Sequence, residues 1–215
     1  MPVKYACFIS YRHSRVSDRS LLKRVTDYLY RSLRSEIEAL NTKGVAIDVD
    51  RLKGGDFYNK QIANDLCQSA CMIVVYVPTY FDRDHTYCAR EYRAMERLEE
   101  ERLKLLDPVL RKHGLIIPIV FRGFDHVPDE IKRNRLCYNF SEFDEYESHR
   151  ETHRRFGKFI REIAAYVVKC AETLDEVAED VCIECDEFAL PSEAQIRSWL
   201  GKMISARAPF PWRAG

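Results

Sequence analysis

The chain has 215 residues, a hydrophobic fraction of 46% and a charged fraction of 32%. These values fit one globular domain with a strongly ionic surface, or one domain plus an extension. Its 34 basic side chains balance 34 acidic ones, so no nucleic-acid partner is expected, because such a partner needs an electrostatic surplus. A local basic pocket for a small phosphorylated ligand stays open.

The elements follow a regular order. Residues 5–11 (YACFISY) are an apolar run rich in β-formers. A polar loop, RHSRVSD, leads to a predicted helix over 19–40, in which Leu22, Val25, Leu29, Leu33, Ile37 and Leu40 recur every three or four residues. VAIDV (45–49) is a second strand, entered through Gly44. DRLKGGDF (50–57) carries paired glycines, a turn signal. Residues 58–69 read as a helix with Ile62, Ala63 and Leu66 inward. ACMIVVYV (70–77) is a third strand, apolar without alternation, as a parallel sheet covered on both faces requires. Pro78 ends it.

After the loop TYFDRDHT, a helix is predicted over 87–106. GLIIPIVF (114–121) is a fourth strand with Pro118 inside it, and LCYNF (136–140) a short fifth. The helix over 149–174 carries Phe156, Phe159, Ile160, Ile163, Val167 and Val168 along one face. Alternation of strand and helix predicts an α/β, flavodoxin-like, three-layer fold: a five-stranded parallel sheet in order 2-1-3-4-5 with helices on both faces. From residue 175 the chain turns acidic and then irregular. Residues 1–174 are therefore expected to form the domain, and 175–215 a C-terminal extension with a short helix and an irregular tail that packs on the domain or a partner.

The longest apolar stretches, 72–77 and 115–121, fall short of the ~18–20 residues of a spanning helix. No membrane partner is expected. The start, MPVKYACFISYRH, has no charged leader before a long apolar core, so a cytoplasmic location is expected. Cysteines stand at 7, 67, 71, 88, 137, 170, 182 and 185. Without an export signal they read as reduced thiols and not as a disulfide framework. The pair at 182 and 185 lacks the second pair that zinc requires, and reads as two partly buried thiols.

In open parallel sheets a ligand binds beyond the C-terminal strand ends, where the strand order reverses. In order 2-1-3-4-5 that point lies between strands one and three. The segments there are polar and aromatic: Tyr11, Arg12, His13, Ser14 and Arg15 after the first strand, and Tyr80, Asp82, Arg83, Asp84, His85, Thr86, Tyr87, Cys88 and Glu91 after the third. With Thr86 as N-cap, Glu91 sits near the positive end of the helix dipole, which favours the ionised carboxylate. Tyr87 and Cys88, at i−4 and i−3, share its face. On spacing alone the solvated reading of Glu91 has the larger base, because surface glutamates outnumber functional ones. His13 and His85 lack a matching ligand set, so no metal site is expected. A phosphoacceptor receiver domain needs acidic residues ending strands one and three; here stand Tyr11-Arg12 and Val77-Pro78.

Together these motifs resemble the Toll/interleukin-1 receptor (TIR) domain in its bacterial, stand-alone form. CFISYRH (7–13) is similar to box 1 of the family. Residues 48–81 resemble box 2 with its BB loop, although Gly54-Gly55 stands where Pro-Gly is frequent. TYCAREY (86–92) is similar to the family's S-x-W-C-x-x-E signature, with Cys88 and Glu91 on its Cys and Glu, and Tyr87 where Trp is common. The resemblance covers roughly residues 3–170.

Catalytically active members cleave NAD⁺ at the nicotinamide–ribose bond, so the resemblance implies Glu91 as the catalytic residue, NAD⁺ as substrate and no cofactor. Tyr11 and Tyr87 are expected around the nicotinamide or adenine ring, and Tyr80 among the substrate-binding residues. Arg12 and Lys53 are expected at the pyrophosphate, with Ser14 and Cys88 lining the site. Asp50 and Arg51 read as loop-shaping residues. Two function classes remain. One is an NADase or cyclase like the TIR proteins of Thoeris-like antiphage systems, with a phage-derived trigger and a nucleotide product acting on a separate effector. The other is a non-catalytic adaptor working through TIR–TIR contacts. The resemblance also implies a homo-oligomer through the BB loop.

Overall fold

The computed structural model describes residues 3–13, 21–47, 55–143, 150–177 and 185–205. The strands are β1 (Tyr5–Tyr11), β2 (Gly44–Ile47), β3 (Ser69–Tyr76), β4 (Ile116–Val120) and β5 (Tyr138–Asn139). The helices are α1 (Leu21–Leu40), α2 (Gly55–Cys67), α3 (Tyr87–Arg102), α4 (Pro108–Arg111), α5 (Asp129–Asn134), α6 (Arg150–Glu176) and α7 (Glu193–Ser205). All strand pairs are parallel and the order is 2-1-3-4-5. This is the α/β flavodoxin-like arrangement expected from the alternation of elements.

β3 is buried at every position, as a central strand covered on both faces must be. Right-handed crossovers set α1 on one face of the sheet and α2 and α3 on the other. α6 returns to lie beside α1 against β1 and β3. Pro118 is tolerated in β4 because β5 pairs only with Ile119 and Val120, which leaves Pro118 in an edge-like stretch.

Two parts of the α1 pattern differ from expectation. Leu40 is 55% exposed, since the last turn runs past the sheet. Thr26 is buried instead, its hydroxyl donating to the Leu22 carbonyl at 2.8 Å.

The far end of α3 is fixed by buried ions. Glu99 Oε1 accepts from the Leu115 and Ile116 N–H groups and from Arg135 Nη1, and Glu99 Oε2 meets Arg135 Nη2 at 2.7 Å. Arg102 donates to the Ser69 and Cys67 carbonyls, both at 2.5 Å. Burial pulls its guanidinium down to about 10, so it remains charged at neutral pH against the carbonyl end of α2. α3 is thereby held at the N-terminal edge of the sheet while its first turns reach the C-terminal edge.

Residues 185–205 pack on the same core. Leu190, Ile196, Leu200 and Met203 are buried in it, and Trp199 lies against Phe81 and Tyr92 with ring centroids 5.4 and 5.8 Å away. The expectation of reduced thiols throughout is overturned at one pair: Cys67, the last residue of α2, forms a disulfide with Cys185, with Cα atoms 5.6 Å apart. Cys185 is thus not one of two thiols in a C-x-x-C pair, and Cys182 lies outside the described residues. Cys7, Cys71, Cys88, Cys137 and Cys170 form no disulfide. Burial pushes Cys7 up to about 12, which keeps it an inert core hydrophobe. Among the described residues no helix is long and apolar enough to cross a membrane.

Candidate active site

The site forms where the C-terminal end of β1 meets the first turns of α3. Ser10, next to last in β1, is a hydroxyl in an otherwise apolar run and is fully buried. A polar group so placed must find a partner. Ser10 Oγ donates to Glu91 Oε2 at 2.5 Å and lies 2.6 Å from the Tyr80 hydroxyl. Since the single Ser10 proton goes to the carboxylate, Tyr80 donates to Ser10, and the chain runs Tyr80 to Ser10 to Glu91. Burial, and then Cys88 and Glu91, hold the Tyr80 phenol well above its ordinary range, so it keeps that proton. Glu91 is only 2% exposed.

Cys88 sits one turn before Glu91, and its Sγ contacts the Tyr11 carbonyl at 3.6 Å. β1 and α3 are therefore stitched together at two successive residues of the strand. Tyr11 is buried, with its ring 4.4 Å from that of His13. Arg12 donates to the Thr79 carbonyl and meets Asp82 Oδ2 at 2.6 Å, tying the turn after β1 to the loop after β3. Burial alone would raise the Asp82 carboxyl. The Asp84 N–H and the Arg12 guanidinium outweigh it and hold the group below its ordinary value.

Four expectations change in detail. Thr86 does precede the first turn of α3, but its hydroxyl makes no cap; it donates to Glu193 Oε1 at 3.1 Å. Glu91 is the fifth residue of α3, beyond the first turn where the dipole acts most strongly. Its carboxylate accepts from the Ser10 hydroxyl at the end of β1. Tyr87 is 47% exposed and lies against the Arg90 guanidinium at 5.7 Å, so it does not share the buried face of Cys88 and Glu91. Tyr80 is fully buried and stands behind Glu91 as a donor, not as a ring presented to a ligand.

Ser14 and Lys53 lie outside the described residues, in segments 14–20 and 48–54. Asp50 and Arg51 lie there too. The sequence reading missed Ser10, although a hydroxyl inside a two-face-buried strand was its available signal. Two grooves lie elsewhere: one lined by Tyr28, Arg31, Glu36, His153 and Phe156 between α1 and α6, the other by His113, Ile117, Leu136, Tyr138 and Glu162 at the β4–β5 edge. Neither includes Ser10, Tyr80 or Glu91. Among the described residues no group of three His, Cys, Asp or Glu side chains is placed to hold a metal ion.

No protein-family model matches the chain. No curated protein matches it. A solved structure, the TIR domains of the activated Roq1 resistosome directly recognizing the pathogen effector XopQ, is similar at 16% identity, over 80% of this chain and 98% of that chain, with a TM-score of 0.38. That degree of likeness assigns neither family nor activity. The fold and site define an α/β parallel-sheet domain with a buried carboxylate at its topological switch point.

Proposed function

We propose that the chain is a TIR-type enzyme that breaks the nicotinamide–ribose bond of NAD⁺, with Glu91 as its catalytic residue. One observation supports this most: the Glu91 carboxylate is held by Ser10 at the C-terminal end of β1, beside the strand-order reversal where α/β sheets take ligands. The chemistry needs only one carboxylate. When the C1′–N bond breaks, its electron pair neutralises the departing nicotinamide, so no general acid is required, unlike ordinary glycoside cleavage. The ribose left behind is oxocarbenium-like. An ionised Glu91 stabilises that charge and accepts hydrogen bonds from the ribose hydroxyls.

Water adding at C1′ and losing a proton gives ADP-ribose; an internal nucleophile gives a cyclic isomer; another acceptor gives a conjugate. Tyr11 is a wall of this site. Arg12 would share its charge between Asp82 and a pyrophosphate. Ser14 and Lys53 complete the binding set in this proposal, together with Tyr87 and Cys88. The product then activates a separate effector in antiphage defence, in the cytoplasm, after a phage-derived trigger, with a homo-oligomer formed through the BB loop. Nicotinamide release by the wild type and its loss in Glu91→Gln test the reading. Equal release by both would rule out Glu91 as the catalytic residue, and release by neither would leave the adaptor role.

A further inference from the structure

The disulfide joins the end of α2 to the start of a strap, residues 185–205, whose helix α7 packs on α3. The strap's polar contacts fall on Thr86 and on Arg90, the residue before Glu91. Arg90 Nε donates to the Pro191 carbonyl at 2.6 Å, and Thr86 Oγ1 to Glu193 at 3.1 Å. Its aromatic contact reaches the same cluster from behind. Trp199 meets Phe81 edge-on at 5.4 Å, and Phe81 meets Tyr80 edge-on at 4.9 Å. Tyr80 donates to Ser10, which holds Glu91. The strap braces the candidate site through these contacts. Cys67–Cys185 is the covalent tie that keeps it there.

We propose that this disulfide is a redox-sensitive latch: oxidised, it holds the strap on α3 and Glu91 in place; reduced, it lets the strap lift and the site loosen. In a reducing compartment, disulfides that form are mostly transient and redox-sensing. Cys67 and Cys185 are 3% and 9% exposed, so attack follows local opening of the turn that Cys185 begins. A dithiol supplies the electrons. The Sγ–Sγ bond breaks, each protein sulfur takes a proton, and the dithiol closes to its own disulfide. The catalytic consequence rests on the reading of Glu91 above; the physical latch does not.

The test uses the full chain, oxidised or treated with dithiothreitol while folded, alongside Cys185→Ser. Hydrogen exchange is followed over residues 185–205, 76–95 and 155–175. In the oxidised chain Cys67 and Cys185 should resist alkylation in denaturant. Reduction, or Cys185→Ser, should speed exchange in the strap about tenfold or more, with a smaller rise over 76–95 and none over 155–175. Nicotinamide release from NAD⁺ should fall in parallel. Alkylation of both cysteines without reductant, or unchanged strap exchange on reduction, overturns the latch. A loosened strap with undiminished nicotinamide release overturns its coupling to Glu91. Absence of release from both forms, with the exchange difference present, refutes the enzymatic reading and leaves the latch standing.

Discussion

Ser10→Ala removes the middle of the Tyr80–Ser10–Glu91 chain with the loss of one oxygen. Ser10 is fully buried, so water cannot freely replace what it supplies. Glu91 loses the hydrogen bond at 2.5 Å, and the Tyr80 hydroxyl loses its acceptor at 2.6 Å. A hydrogen bond to a charged group contributes about 1.5–3 kcal/mol and a neutral one about 1. The two share an atom and do not simply add, so the expected loss is about 2–4 kcal/mol, read by urea unfolding. Tyr80→Phe spares the bond to Glu91 and should cost about 1 kcal/mol. The double variant should cost less than the sum of the two, by about 0.5 kcal/mol or more. In turnover, Ser10→Ala should lower kcat/KM for nicotinamide release about 10–100-fold, since Glu91 then loses the hydroxyl that positions it. A stability change under about 0.5 kcal/mol, or strict additivity with Tyr80→Phe, would refute the relay.

Asp82→Asn should cost about 0.5–1 kcal/mol near neutral pH, because the Arg12 pair is partly open to solvent and screened. Asp82 titrates below its ordinary value in the fold, so its contribution is present above the unfolded carboxylate value and disappears as pH falls through the folded one. Unfolding curves of wild type and variant should therefore converge in acid; a constant gap would contradict the assignment. Glu99→Ala takes from buried Arg135 its closer carboxylate, leaving Glu96 at 3.5 Å, and strands two backbone N–H groups, and should cost about 3 kcal/mol in urea unfolding. Gly123 adopts φ +70, and a Cβ there would lie 2.5 Å from Pro78 Cγ. Gly123→Ala should lower stability by about 1–3 kcal/mol, visible as a drop in Tm.

The sheet was legible because burial on both faces writes itself as uninterrupted apolar runs, as in residues 70–77, and because the helices over 19–40 and 149–174 carried a 3.6-residue stripe; the short α4 and α5 carried none and were not expected. Leu40 followed that stripe and still ended in solvent, since periodicity does not say where the sheet stops. Glu91 was legible by position, one turn into α3 at the switch point. Its support was not: the helix dipole suggested one donor, while folding brought another, Ser10, from 81 residues away. Cys67 and Cys185 are separated by 118 residues, and no spacing rule links them; the nearby C-x-x-C drew attention to the wrong neighbour. Thr86 looked like a cap from local sequence. Its hydroxyl instead serves the strap, a contact that exists only once α7 has docked.

The most direct measurement is mass spectrometry of nucleotides after NAD⁺ is mixed with wild-type protein and with Glu91→Gln, each shown folded by circular dichroism and each supplied with phage lysate and a crowding agent. The account predicts nicotinamide and an ADP-ribose-derived product in equal amounts from the wild type, and at least ~100-fold less from the variant. Nicotinamide formed equally by both proteins, or NAD⁺ left intact by the wild type under all these conditions, would contradict it.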